Sequence, residues 1–272
     1  MEEALHDISL YREFARLDLG ATRLPDESTI LRFRHLLESN NLSLQVLATI
    51  NATLASKGLL LKTGTVVDAT LIAASSSTKN KDGQRDPEMH QANKTNQWRI
   101  IGGHPDGWRT RAHIGADAEL GSVHTVIGTS ANVNDVTQGH ALLHAQETIV
   151  SVDAGYQGTA NRGEATGVQW HVAMRPGKRK AQKHTLSRQL AQQADKLKAN
   201  VRAKVEHAFR AINCQFGFAK VRYKGLTKNT AQLITLFTLF NLWMARRALL
   251  QRIWLYVCLL HERTPQNSCK NL

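Results

Sequence analysis

The chain has 272 residues, of which 42% are apolar and 21% charged. That balance supports one large packed domain or two smaller ones and excludes wholesale disorder. The 35 Lys and Arg residues outnumber 22 Asp and Glu, and the formal charge of +13 favours a polyanionic partner, nucleic acid above all. The three cysteines, Cys214, Cys258 and Cys269, follow no metal-ligand spacing and read as reduced thiols. The first seven residues carry no leader pattern. The longest apolar stretch, residues 233–260, is broken by Arg246, Arg247 and Arg252, so no membrane span is expected.

In chain order, residues 1–60 read as a small N-terminal helical region. Leu10, Phe14 and Leu17 recur at helical spacing, and a break follows over residues 20–25. Asp26 or Ser28 caps a second helix carrying Ile30, Leu31, Phe33, Leu36 and Leu37, which ends at Asn40-Asn41. A third helix carries Leu44, Leu47, Ala48 and Leu54 and stops at Lys57-Gly58. Short helices of this kind fit either a helix-turn-helix reader, with Arg32, Arg34 and His35 toward nucleic acid, or a helical cap on the main domain. This stretch alone favours the cap.

Residues 64–73, GTVVDATLIA, form a buried strand with Asp68 at its middle, a carboxylate that needs a partner or a cation. A polar region, about 75–108, reads as loop. Residues 111–117 and 122–128 make a hairpin around Glu119, Leu120 and Gly121. Asn134 or Asp135 caps a helix through Leu143. Residues 148–153 form a strand ending on Asp153, and residues 168–173 another, leading to the basic turn RPGKRK at 175–180. Asp153 fits an active-site acid or a turn cap about equally.

From Leu186 to about Cys214 the spacing predicts a long helix. Val201, Val205, Ala208 and Ile212 share one face, and Arg202, Glu206, Arg210 and Asn213 share its neighbour. Glu206 alone reads as a surface ion pair with its arginines. A basic stretch (Lys220, Arg222, Lys224, Lys228) precedes a buried closing helix over about 231–251, and residues 253–272 read as a disordered tail.

Strand, hairpin, helix, strand, strand, long helix is the order of an α/β mixed sheet with helices on its faces. Asp68, Asp153 and Glu206 lie where such a fold can gather them. Three carboxylates in one place require cations, and hard oxygen ligands suit two Mg²⁺ or Mn²⁺ ions acting on a phosphodiester.

The segments LPDESTILRFRH (24–35), GTVVDATLIA (64–73), ANVNDVT (131–137), DAGYQG (153–158), VRAKVEHAFR (201–210) and VRYKGLTKNTAQL (221–233) resemble transposases of the insertion-sequence-five family over residues 1 to about 250. The resemblance implies a ribonuclease-H-like catalytic domain over residues 61–252, bacterial and cytoplasmic at the nucleoid. It implies a homo-oligomer on double-stranded DNA, the substrate being terminal inverted repeats and target DNA. It places Asp68, Asp153 and Glu206 as catalytic and metal-binding residues. Arg202, Arg210, Lys178, Arg179, Lys180, Arg111 and His113 are then expected at DNA.

The chain departs from the family pattern at three places. Ala199 stands where the family's signature has tyrosine, and Asn213 where it has lysine. Residues 99–110, RIIGGHPDGWRT, intervene before an aromatic-Gly-x-Lys-x-His strand in which Arg111 takes the lysine place. Family members carry more helical sequence before residue 1, so an N-terminally incomplete DNA-binding part is expected. Three readings follow: a transposase, a nuclease that only cleaves, and a non-catalytic copy that binds DNA or a full-length subunit.

Overall fold

The computed structural model of the chain describes residues 2–18, 23–61, 63–74, 83, 86–91, 108–162, 167–175, 177 and 186–262. The chain divides into two compact units, residues 1–45 and 46–272. The first holds helices α1 (Glu2–Asp7), α2 (Ser9–Ala15) and α3 (Glu27–Ser39). Asp26 caps α3, its carboxylate accepting the Thr29 N–H at 2.7 Å and the Ser28 hydroxyl at 3.0 Å. Bonds from Thr29, then Ser28, hold its pKa down to about 2. No residue of α2 or α3 is buried. Leu10, Phe14 and Phe33, expected on apolar helix faces, are all exposed. Arg34 pairs with Glu38 one turn on, at 3.0 Å.

Helix α4 (Leu42–Ser56) ends as the sequence predicts, with Gly58 at φ +68° and the Leu59 N–H donating back to Leu54 at 2.8 Å. The helical N-terminal region was expected to extend to residue 60. The compact unit stops earlier because Leu47 belongs to the main core and Leu54 packs with Leu60 and Ala245.

The second unit is built on a mixed sheet. Its strands are β1 (Gly64–Ala73), β2 (His90–Gln91), β3 (Trp108–Asp117), β4 (Val123–Ser130), β5 (Ile149–Val152) and β6 (Gln169–Val172). β1 pairs antiparallel with β3 along its whole length, and β3 pairs antiparallel with β4. β1 pairs parallel with β5, and β5 parallel with β6. β2 falls in the stretch expected to be loop and adds two residues beside the start of β3. Most of residues 75–107 lies outside the described residues.

Central β1 is apolar on both faces, as a strand covered on both sides must be. Val66 and Ile72 pack with Ile114 of β3, with Val205, Ala208 and Ile212 of α6 (Leu186–Arg210) and the π-turn after it, and with Leu233, Phe237 and Phe240 of α7 (Leu226–Glu262). Val67 packs on the other face with Leu142, Val150, Val152 and Tyr156. This is the α/β mixed sheet the element order implies and the ribonuclease-H-like arrangement the family resemblance implies, with the long helices on one face and short turns on the other. The helix expected from Asn134 to Leu143 is shorter. Asn134 caps α5 (Asp135–Gln138), and a 3₁₀ turn, His140–Leu142, completes the segment.

Helix α7 continues to Glu262, past residue 252, where the domain was expected to end in a disordered tail; residues 263–272 lie outside the described residues. Among the described residues one stretch, Leu226–Gln251, is long and apolar enough to cross a membrane. Leu233, Ile234, Phe237 and Phe240 within it are buried in the main core, which accounts for its composition.

Asn241 of α7 ties three elements together. Its Oδ1 accepts the Val123 N–H at 2.8 Å, and its Nδ2 donates to Val123 O at 2.6 Å and to Asn51 Oδ1 at 2.8 Å. Asn241→Leu strips the buried Val123 N–H and Asn51 Oδ1 of these partners, while Val123 O keeps the Asn51 Nδ2 donor at 3.1 Å. The loss of stability expected is about 2–4 kcal/mol by urea unfolding, each orphaned group costing about 1–3 kcal/mol. A loss under about 0.5 kcal/mol would show that the network is dispensable.

Candidate active site

The site is fixed by strand register. Val67 of β1 lies opposite Val152 of β5 in the parallel pair. The next residue on each strand is therefore Asp68 and Asp153, side by side where β5 ends. Side chains alternate along a strand, so Asp68 shares its face with Val66 and Ile72, the face that α6 covers. On α6, Val205 and Ala208 are fully buried, which holds the helix against the sheet. The neighbouring helix face then brings Arg202 and Glu206 to the two aspartates.

Arg202 is the connecting group. Its Nη1 lies 3.3 Å from Asp153 Oδ1, and its Nη2 lies 4.0 Å from Glu206 Oε1. Asp68 feels all three. Burial pushes its pKa up to about 6, opposed by the Ala69 N–H it accepts at 2.8 Å and by the Arg202 charge, and raised further by the charges of Asp153 and Glu206. The side chains of Asp153 and Glu206 are 44% and 65% exposed, so the acids open to solvent. One half-buried and two open carboxylates, with a single arginine between them, are a hard oxygen donor set that fits Mg²⁺ or Mn²⁺.

Arg210, one turn beyond Glu206, is exposed and makes no ion pair with a described residue. Asn213 is exposed in the π-turn Ala211–Gln215, and Ala199 is exposed on α6. Lys178, Arg179 and Lys180 lie outside the described residues.

Arg111 and His113, expected at DNA, stand away from the three acids. They pair with Leu71 and Ala69 across β3–β1, one residue out of phase with Asp68, and so point to the opposite face of the sheet. Both are buried. Arg111 Nη1 sits 2.6 Å from Asp135 Oδ1 and donates to Val133 O at 2.9 Å. His113 Nε2 meets Thr129 Oγ1 at 2.8 Å, and burial, with the Arg111 charge, pushes its pKa down to about 4, so the ring stays neutral near pH 7. Asp135 is a site neighbour that sequence reasoning took only for a helix cap.

Tyr156 was missed as well. It is buried beside these groups; burial first, then the charges of Asp135, Asp68 and Asp153, push its pKa up, and its hydroxyl has no hydrogen-bond partner among the described residues. Its signal was its place in the Asp153-Ala154-Gly155-Tyr156 turn.

Among the described residues, His124, His144 and Glu147 also bring ligand atoms within 4.8 Å of one another, at the Thr65 end of β1. Thr65 Oγ1 is 3.1 Å from His124 Nε2 and donates to Glu147 Oε1 at 3.2 Å. His144 Nδ1 accepts the Gln146 N–H, which assigns the ring proton to Nε2, 3.5 Å from Glu147. That is the pattern of a hydrogen-bonded cluster fastening the 144–147 turn to β1.

A family model for the transposase DDE domain matches residues 60–242. The match covers most of the chain and spans Asp68, Asp153 and Glu206. The chain belongs to the DDE transposase family. No solved structure matches it.

The charges at the two faces of β1 can be tested separately. The folded pKa of Asp68, about 6, lies above the unfolded value of 3.8, so the folded chain holds this proton more tightly and stability falls as pH rises through that window. Asp68→Asn is therefore expected to be more stable than wild type at pH 7.5 with chelator, by about 1–3 kcal/mol, with the two curves meeting below about pH 4. Equal stability at pH 7.5 would overturn the account of Asp68 as a strained, desolvated charge. Arg111→Gln is expected to lower stability by about 2–4 kcal/mol by leaving Asp135 without its cation, and to leave DNA affinity unchanged in a fluorescence-anisotropy titration. A loss of DNA affinity in a folded Arg111→Gln protein would restore Arg111 to the interface.

Proposed function

We propose that the chain is an insertion-sequence-five-type transposase that binds the terminal inverted repeats of its own element, cleaves the DNA there and joins the freed end to target DNA. The observation that carries this reading is the gathering of Asp68, Asp153 and Glu206 around Arg202 at one open edge of the sheet. In the proposed site Asp68 and Asp153 would share the divalent ions and Glu206 would complete the second site. Bound there, Mg²⁺ or Mn²⁺ supplies the means to activate water and to stabilise the attacking and leaving oxygens of a phosphodiester.

The chain's own residues set up this chemistry. Asp68 is ionised at neutral pH, as a ligand must be, and its immersion keeps it from competing with bulk water. Arg202 holds Asp153 and Glu206 in place and presents positive charge where a phosphate enters. Arg210 and the 175–180 turn are assigned to the DNA backbone, with charge-assisted hydrogen bonds of the kind arginine makes to phosphate. Joining two element ends to one target calls for a homo-oligomer on DNA.

Asp68→Asn, Asp153→Asn and Glu206→Gln are each expected to lower Mn²⁺-dependent cleavage of an element-end duplex by about 1000-fold, as loss of a metal ligand costs several kcal/mol of transition-state stabilisation. Cleavage that survives in Asp68→Asn would overturn the assignment, and cleavage without joined product would favour a nuclease.

A second reading has its own support. Ala199 and Asn213 replace the tyrosine and lysine of the family's signature on and just after the helix that carries Glu206, and both positions are exposed, where a group that touches substrate belongs. On that reading the copy binds DNA or a full-length subunit without catalysis. Calorimetry separates the two: Mn²⁺ uptake that is lost in Asp68→Asn supports the enzyme, and no uptake by the wild-type chain supports the inactive copy.

A further inference from the structure

β3 occupies one edge of β1 from Thr65 to Ala73. Both parallel partners of β1 must then lie on its other edge. β5 covers that edge only as far as Val67. At Ala73 the chain returns to it: Ala73 and Lys220 form a parallel bridge, and the Val221 N–H donates to Ala73 O at 2.9 Å. The two catalytic aspartates therefore stand at one end of a stretch of β1 edge, and residues 220–224 stand at the other.

Those residues alternate. Lys220, Arg222 and Lys224 are exposed, Val221 is buried and Tyr223 half-buried. None of the three cations pairs with a described acid. The acids nearby are engaged with backbone instead. Asp86 accepts the Gly225 N–H and Glu88 accepts the Leu226 N–H, each at 2.6 Å. Asn229 completes the anchoring, its Oδ1 accepting the Tyr223 N–H at 3.2 Å and its Nδ2 donating to Tyr223 O at 2.7 Å. The backbone is thus fixed while three cations face solvent. Lys220 lies in the bridge and Lys224 in the bend over residues 223–225; residues two apart stand at most about 6.6 Å from one another, on the scale of successive phosphates along one nucleic-acid strand.

Resting on the DNA-processing role proposed above, we infer that Lys220, Arg222 and Lys224 form a comb that tracks the phosphates of one DNA strand leading to Asp68 and Asp153. Asp68 and Ala73 are five residues apart on β1, about 17 Å of strand. The comb therefore meets the duplex a few nucleotides from the cleaved bond, and it acts by positioning: it touches backbone, reads no base, and serves any sequence alike.

The test is the salt dependence of binding to a fluorescein-labelled 30-base-pair duplex of arbitrary sequence. The triple variant Lys220→Gln, Arg222→Gln, Lys224→Gln is expected to make the negative slope of log K against log salt shallower by about 2.7, or 0.9 for each phosphate no longer neutralised. Each single variant is expected to make it shallower by about 0.9. Lys57→Glu with Arg247→Gln, exposed elsewhere, removes the same net charge and is expected to leave the slope unchanged. An unchanged slope in the triple variant overturns the comb, as does an equal change in the charge control. A wild-type chain that binds no duplex would instead sink the DNA-processing role itself.

Discussion

Val67 pairs with Val152 across two parallel strands, and the site depends on that rung. Parallel neighbours present equivalent residues side by side, so two aspartates far apart in sequence meet one step beyond it. A slip of one residue would send Asp68 or Asp153 to the opposite face. The register is held from both sides. Val66 is fully buried under the helical layer, and Val67 is fully buried against Val150, Val152 and Tyr156. Apolar burial on both faces of β1 thus specifies where an acid at the open end must stand.

The third acid arrives by a different geometry. Helix α6 turns its Val205–Ala208 stripe into the core, and a residue next to that stripe has no choice but to stand at the sheet's edge. Arg202 and Glu206 are one turn apart, so the arginine that reaches Asp153 also reaches Glu206. The joining of helix to strand through charge is local to α6 and does not depend on distant loops.

Much of this was legible in the sequence. β1 matched its expected limits because Val, Ile and Thr dominate the run between Gly64 and Ala73. The buried stripe of α6 was visible as spacings of three and four. What could not be read was the direction of Arg111 and His113. Alternation in β3 gives two faces, and sequence alone does not say which one is dry; the partner that makes burial of Arg111 tolerable, Asp135, lies beyond the hairpin, where it looked like a helix cap. The limit of the first compact unit was not legible for a similar reason. Helix α4 is continuous across residue 45, and only the burial of Leu47 and Leu54 reveals which core its later turns serve.

Arg202 is the cation that the chain itself places among the three acids. Two facts bear on it. A guanidinium stays charged at any pH the fold survives, so it offsets the repulsion between Asp153 and Glu206 at all times. It does not return Asp68 to the ordinary carboxylate range: the Asp68 pKa stays near 6, chiefly because of burial. The deficit sits at the most buried of the three carboxylates, where desolvation is largest and where a divalent ion would relieve the most. An arginine that satisfied all three would leave a closed ion-pair network with nothing for a metal to do. Partial compensation leaves the pocket both folded and in want of positive charge, and the side chains left most open, Glu206 and Asp153, are those through which it would enter.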